Sequence, residues 1–265
     1  MPDSILDFEI VHGIARITLN RPQKRNALTR ELIVQLAQTV ATIRADDSVR
    51  LLVLTGAGPV FCAGMDLGQM QVRAENPDAT EQWQQDTRVY RDLLVSMFTL
   101  PIPTLAVVQG PALAGGLGLV LACDIVLAAD EVFFSLPEPK RGITAAVVAP
   151  LLVYRIGSGP ATSLLLCGES ISAADGHRIG LCHAVVPCDG LAEREQELAG
   201  SILSGAPSSL AKTKEHLIEC AGAALIEQLD AGMRVSAEAR ETADAREGLA
   251  AFLEKRDPHW FPQAE

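Results

Sequence analysis

The stretch Leu105-Ala106-Val107-Val108-Gln109-Gly110-Pro111-Ala112-Leu113-Ala114-Gly115-Gly116-Leu117-Gly118-Leu119-Val120-Leu121-Ala122-Cys123-Asp124 decides the fold class. It is apolar for about the ~20 residues that span a bilayer. Gln109-Gly110-Pro111 and Gly115-Gly116 interrupt it, however, and Asp124 follows at once, so it reads as a buried strand, a loop and a helix. The same pattern recurs on both sides. Leu51-Leu52-Val53-Leu54 is a continuous apolar run bounded by Gly56 and Gly58, as suits a strand buried on both faces. Ile125 to Ala128 and Val132 to Phe134 continue the series, and Ala146 to Ile156 is the predicted helix after them. Strands alternating with helices imply an α/β layer fold.

Working outward, Phe8 to Val11 and Ile14 to Leu19 are short β-favouring runs around His12-Gly13, a predicted hairpin. After a loop from Asn20 to Ala27, Thr29 is placed to N-cap a helix in which Leu32, Leu36, Val40 and Ile43 recur at helical spacing. From Leu191 onward Glu, Ala, Leu, Lys and Arg dominate and strand-like runs disappear. This divides the chain into an α/β core over 1–190 and a helical C-terminal region over 191–265. Leu210, Thr213, Leu217 and Cys220, then Leu249, Phe252 and Leu253, stand at helical spacing. With no low-complexity linker before it, this region is expected to pack on the core or on a neighbouring subunit.

The chain has 265 residues, of which 48% are hydrophobic and 21% charged, near the ordinary globular averages. A formal net charge of −11 argues against binding nucleic acid through a general basic surface. The six cysteines, at 62, 123, 167, 182, 188 and 220, form no Cys-x-x-Cys pair and no zinc-like spacing with histidine, so they are expected to be reduced and mostly buried. Met1-Pro2-Asp3-Ser4-Ile5 carries no export or transit pattern. A cytoplasmic protein without a membrane span is the expectation.

Three segments carry chemistry: Phe61 to Leu67, Gly110 to Asp124, and Leu136-Pro137-Glu138, each following a buried strand. Gly64 and Gly115-Gly116 let the backbone turn sharply and approach a ligand, and the second pair opens a helix whose first amides carry partial positive charge. Two such amides converging make an oxyanion hole. Taken singly, each glycine is equally suited to a tight turn or close packing. Other chemistries fit poorly. Pro59 and Phe61 spoil a dinucleotide fingerprint after Gly56-Ala57-Gly58, and no Gly-x-Ser-x-Gly elbow occurs. The five histidines, His12, His177, His183, His216 and His259, lie outside the three segments, which disfavours a serine or metal hydrolase.

With Asn20-Arg21-Pro22 to Asn26-Ala27-Leu28 ahead of them, these segments resemble, in order and spacing, the signature of the enoyl-CoA hydratase/isomerase (crotonase) superfamily. The likeness continues through Arg178-Ile179-Gly180-Leu181 to Val185-Val186 and on to Phe252-Leu253-Glu254-Lys255-Arg256, so it covers nearly the whole chain. It implies a spiral of repeated strand-strand-helix units, assembled as a homotrimer or a homohexamer. The implied substrate is an acyl-CoA thioester, with coenzyme A entering as part of the substrate and no separate cofactor or metal. Carried over by position, the oxyanion donors fall on the main chain of Met65 and Gly115, and the acid/base on Glu138. The backbone at Ala63, Asp66 and Leu67 would meet the CoA adenine. Lys24 and Arg25 would lie near its phosphates, and Gly116 and Gly118 belong to the substrate-binding set. Asp66 and the two basic residues have an ordinary alternative as a helix cap and solvated charges.

Two departures stand out. Hydratases with two catalytic glutamates place the first of them three residues after the second oxyanion donor, and here that position is Gly118. One carboxylate suffices to move a proton between carbons, so a double-bond shift survives this loss more easily than hydration. Asp124 offers no rescue, since it matches a structural position. The run from Ile143 to Pro150 replaces the family's glycine-rich turn and is similar to a bacterial branch described as methylglutaconyl-CoA hydratase-like, which pulls toward hydration. The competing reading is an acyl-CoA-binding member with little or no turnover.

Overall fold

The computed structural model describes residues 4–74 and 78–262; residues 1–3, part of the N-terminal stretch read above, lie outside them. Strands β1 (Leu6–Val11) and β2 (Ile14–Leu19) pair antiparallel. His12 and Gly13 between them both have positive φ, 52° and 79°, as a two-residue hairpin with the native strand twist requires. Helix α1 (Arg30–Arg44) starts at Thr29, whose side chain accepts from the Leu32 amide, and it buries Leu32, Leu36, Val40 and Ile43 as its spacing predicts.

The rest of the core repeats one unit. Strand β3 (Leu51–Gly56) leads through Cys62 to helix α2 (Leu67–Ala74), and helix α3 (Ala79–Phe98) follows. Next, β4 (Thr104–Val108), the short β5 (Ala112–Leu113) and α4 (Gly115–Leu121) form a second unit. In the third, β6 (Ile125–Ala129) and β7 (Phe133–Ser135) precede a 3-10 turn at Glu138–Arg141 and helices α5 (Ala149–Ile156) and α6 (Ser158–Cys167). Strand β8 (Ser170–Ser172), α7 (Ala173–Arg178) and β9 (Ala184–Val186) close the core. The long strands form a six-stranded sheet ordered β1-β2-β3-β4-β6-β9, parallel from β2 onward; the short ones form a second sheet, β5-β7-β8. Cys62 extends that second sheet through a parallel bridge to Ala112. This is the expected spiral of strand-strand-helix units. Its centre is filled by residues such as Leu52, Leu54, Phe61, Leu105 and Phe134, all with essentially no exposed surface.

Helices α8 (Leu191–Ser204), α9 (Pro207–Leu217), α10 (Leu225–Ala239) and α11 (Ala243–Glu254) complete the chain. They fold back over their own core, with α10 against α3 and α5, and α11 against the 138–141 turn and α2. At Gly232 and Gly248 the helix backbones touch the Ala146 and Arg141 main chain so closely that neither position leaves room for a Cβ. Lys214 ties α9 to the core, donating to Asp124 (2.7 Å) and to the Ile102 carbonyl (3.1 Å). Asp124 also accepts from the Thr104 amide and hydroxyl, at 2.8 Å each, so its role is structural.

Three expectations need correction, and one element carried no expectation. The predicted helix from Ala146 begins only at Ala149, because 145–148 form a turn lining the site. The twenty-residue helix α3 went unread in the sequence. The stripe Leu210, Thr213, Leu217, Cys220 does not face the core: α9 buries Lys214 instead, and Leu217 and Cys220 are exposed. The cysteines are not mostly buried, since Cys167, Cys188 and Cys220 are exposed. Among the described residues no helix is long and apolar enough to cross a membrane.

Candidate active site

A cleft of about 450 Å³ opens where the second sheet meets the C-terminal helices. Of the positions singled out in the sequence, Lys24, Arg25, Ala63, Met65, Asp66, Leu67, Gly115 and Glu138 line it together. Gly116 and Gly118 do not. They sit fully buried behind its wall, where the lack of a side chain serves packing: a Cβ at Gly116 would overlap Cys62, and one at Gly118 would overlap the Tyr90 hydroxyl.

The two donor turns are held by the small sheet. Leu113 donates its amide to the Cys62 carbonyl at 2.9 Å, and Ala114 donates to the Ser135 carbonyl at 2.9 Å. Gly64 has φ +88°, and an added Cβ there would lie 2.6 Å from the Ala114 Cβ and 3.2 Å from the Gly115 nitrogen, so only glycine lets these turns approach. Ala114 itself is held at φ 51°, ψ −127°, a strained conformation directly before the Gly115 amide. Among the described residues the amides of Met65 and Gly115 have no hydrogen-bond acceptor, whereas those of Ala63 and Asp66 donate to the Arg25 and Leu28 carbonyls. Two residues with unused main-chain donors therefore line the cleft from adjacent turns.

The loop before α1 is organised by Asn26, fully buried at φ 52°. Its side-chain amide donates to the Ala57, Val60 and Phe61 carbonyls and its oxygen accepts from the Arg21 amide. Asn26→Ala strands all four groups, and a loss of about 3 kcal/mol or more is expected in denaturant unfolding. Lys24 and Arg25 stay exposed at the cleft mouth without a salt bridge among the described residues. Asp66 caps α2 at the Gln69 amide (3.3 Å) and pairs with Arg21 (3.5 Å).

Glu138 opens the 3-10 turn after β7 and is only 7% exposed. Its Oε2 is buried with no hydrogen-bond partner. Burial raises its pKa to about 7; its own amide and the charges of Arg141 and Arg240 pull more weakly the other way. A carboxyl poised there gives and takes protons near neutrality.

Sequence reasoning missed Tyr90, Arg141, Arg240 and the 143–148 wall. Tyr90, on α3, is buried, and its hydroxyl donates to the Gly115 carbonyl at 2.6 Å. Burial pushes its pKa well above that of a free phenol, with the neighbouring Cys62 and Glu138 adding to the shift, so it stays protonated. The spacing Trp83, Thr87, Tyr90, Leu94, Met97 was a readable signal for the helix. Arg141 stacks over the Phe252 ring of α11, 3.5 Å from its centroid, so the C-terminal cover reaches the site within one chain.

Comparison with known proteins adds independent findings. The family model described as enoyl-CoA hydratase/isomerase matches residues 9–263. The chain is similar to the 1,2-epoxyphenylacetyl-CoA isomerase of Escherichia coli (strain K12), 34% identical over 260 residues, 97% of this chain and 99% of that one. It is also similar to the 2,3-dehydroadipyl-CoA hydratase of the same strain, 35% identical over 243 residues, 91% and 92% of the two chains. Among solved structures, an enoyl-CoA hydratase/isomerase from Xanthobacter autotrophicus Py2 aligns with a TM-score of 0.87 at 32% identity, covering 98% of this chain and 99% of that one.

Proposed function

Because this chain belongs to the enoyl-CoA hydratase/isomerase family, we propose that it binds an enoyl-CoA with the thioester oxygen on the Met65 and Gly115 amides and moves the double bond by passing a proton through Glu138. The observation that carries this reading is the buried, unpartnered Glu138 carboxyl with a pKa near 7, in the same cleft as two unused main-chain donors. Ionised Glu138 takes a proton from carbon; the electron pair shifts onto the thioester oxygen, where each donor contributes about 2.7–4 kcal/mol to the enolate. Protonated Glu138 then returns the proton at a different carbon, and no atom is gained or lost.

Hydration is the second reading, favoured by the relative named as a 2,3-dehydroadipyl-CoA hydratase. It needs a water to be oriented as well, and at the position of the missing first glutamate this chain offers the Tyr90 hydroxyl. Turnover of 2-enoyl-, 3-enoyl- and 3-hydroxyacyl-CoA substrates decides: 3-enoyl to 2-enoyl conversion without 3-hydroxyacyl product is the expected result. Absence of turnover with all three leaves a binding protein and removes the enzymatic reading.

Lys24 and Arg25 at the mouth are proposed to meet the CoA phosphates, with the backbone at Ala63, Asp66 and Leu67 near the adenine. Saturating acyl-CoA is then expected to raise the melting temperature by about 5 °C or more through mass action. No shift with acyl-CoA or free CoA sinks the binding mode. The assembly proposed from the family resemblance is a homotrimer or dimer of trimers, and a monomer in light scattering at micromolar concentration removes it.

A further inference from the structure

The peptide that joins Ala114 to Gly115 carries the Gly115 amide, and its own bonds hold it loosely. Ala114 before it is strained at φ 51°, ψ −127°, and Gly115 and Gly116 after it have no side chain to restrict rotation. Its carbonyl accepts from the Gly118 amide at 3.3 Å, a long bond. The short bond at this turn comes from another element: the Tyr90 hydroxyl donates to the Gly115 carbonyl, one peptide further on, at 2.6 Å. The same hydroxyl lies against Gly115 itself, 3.4 Å from where a Cβ would stand. Tyr90 is delivered by the twenty-residue α3, which packs on α1 and α10 and is tied to α10 by the Arg91–Asp230 ion pair at 2.7 Å. Leu93, Leu94 and Met97 of that helix are buried in the core, so the hydroxyl is presented from a firmly seated element.

A phenol whose one proton is given to a main-chain carbonyl does not hold it ready for a substrate carbon, so this geometry does not make Tyr90 a second acid/base. What the bond does is restrain rotation about Gly115, and with it the direction of the Gly115 amide. Direction matters because a main-chain donor has its full effect only when aimed at the oxygen that gains charge. A misplacement of about 1 Å at a reacting centre can cost about 10²-fold. We propose that Tyr90 is a positioning residue for the oxyanion donor at Gly115, acting from α3 through the Gly115 carbonyl. The proposal rests on reading the cleft as an acyl-CoA site in which Gly115 is a donor. Phenylalanine at this position keeps the ring packing but leaves the Gly115 amide free to turn, so ground-state binding stays while stabilisation of the enolate falls.

Bound 3-oxohexanoyl-CoA tests this without turnover, because its enolate absorbs in the near ultraviolet far more than its neutral form. In a Glu138→Gln background the Glu138 carboxylate does not titrate beside it, and the pH at which half of the bound ligand is enolate reports the oxyanion donors. Adding Tyr90→Phe is expected to raise that pH by about one unit, a tenfold loss of enolate stabilisation, with hexanoyl-CoA binding changed less than about threefold. With Glu138 present, Tyr90→Phe is expected to lower kcat for 3-enoyl to 2-enoyl conversion about tenfold or more and to change KM less than about threefold. Placing 4-aminophenylalanine at position 90, which restores an N–H donor, is expected to recover most of both losses. Met97→Ala, which loosens the same helix without touching Gly115, is expected to lower the melting temperature and move the enolate midpoint less than about half a unit. Should Tyr90→Phe fail to fold, 4-fluorophenylalanine at position 90, which fills the hydroxyl's volume without its proton, carries the comparison. An unchanged midpoint and kcat in Tyr90→Phe, or an equal rise of the midpoint in Met97→Ala, overturns the positioning role while the acyl-CoA reading stands. Binding of 3-oxohexanoyl-CoA with no enolate band at any pH overturns the positioning role together with the oxyanion reading. Failure of every thioester and of free CoA to bind overturns the acyl-CoA reading as well.

Discussion

Glu138→Gln is expected to cut turnover by about 10²–10⁴-fold while making the folded chain harder to melt. Both effects come from one cause. In the native state the Glu138 proton is held until about pH 7, against an ordinary value of 4.5, because ionising a buried carboxyl is costly. Between those two values the folded chain binds a proton that the unfolded chain has lost, so stability falls as pH rises through that window and levels off above it. The penalty approaches about 3 kcal/mol on the alkaline side. Glutamine cannot ionise and escapes it. The melting-temperature gap between variant and wild type is therefore expected to widen from pH 5 to pH 8, while CoA binding is largely kept. On the proposed mechanism the base form is the active one in wild type, so kcat/KM is expected to climb with pH and flatten above about 7. Normal turnover by the variant with every active substrate would mean that the proton travels through another group. A gap that does not change with pH would mean that the native carboxyl is not held near 7.

Gly118→Glu, the substitution that would restore a second glutamate by sequence logic, is expected to fail as a single change. Its first side-chain atom would overlap the Tyr90 hydroxyl and lie 3.1 Å from Val148 Cγ2. Tyr90 is buried on α3 and holds the Gly115 carbonyl, so displacing its ring breaks that hydrogen bond beside the donor turn. Overpacking with a charged group inside a closed core is expected to cost more than about 4 kcal/mol, seen as insoluble protein or loss of the cooperative transition. The Tyr90→Ala/Gly118→Glu double variant should be more stable than Gly118→Glu alone, because the ring's volume becomes available, and this non-additivity is the signature of shared space. Gain of 2-enoyl-CoA hydration is expected in the double variant only. A soluble Gly118→Glu protein melting with wild type would disprove the steric account.

The architecture was legible because its signals are local. Apolar runs closed by Gly56, Gly58 and Gly110 mark buried strands, and Thr29 announces α1 without any knowledge of its neighbours. The line of Lys24, Arg25, Ala63, Met65, Asp66, Leu67, Gly115 and Glu138 around one cleft was likewise carried by short motifs. What stayed hidden depends on contacts distant in sequence. Tyr90 reaches Gly118 across a crossover, and Arg141 meets Phe252 from the far end of the chain. Gly116 and Gly118 show a different limit: a glycine that admits a ligand and one that admits a neighbouring side chain are the same letter, and only the packing tells them apart.

The small sheet that carries Cys62, Ala112 and Phe134 side by side also bears on how this site changes over generations. Its spacing is fixed by backbone hydrogen bonds, and the donors hung from it are main-chain groups that no codon change short of one to proline removes. Side chains at Ala63, Met65 and Leu113 are free to drift and reshape the wall without moving the amides, whereas the proposed proton relay hangs on one side chain, Glu138. The proposed cradle for the thioester and the proton chemistry proposed beside it are thus separately mutable, and a descendant that loses or relocates the carboxylate inherits that cradle intact, a base on which another reaction can be built.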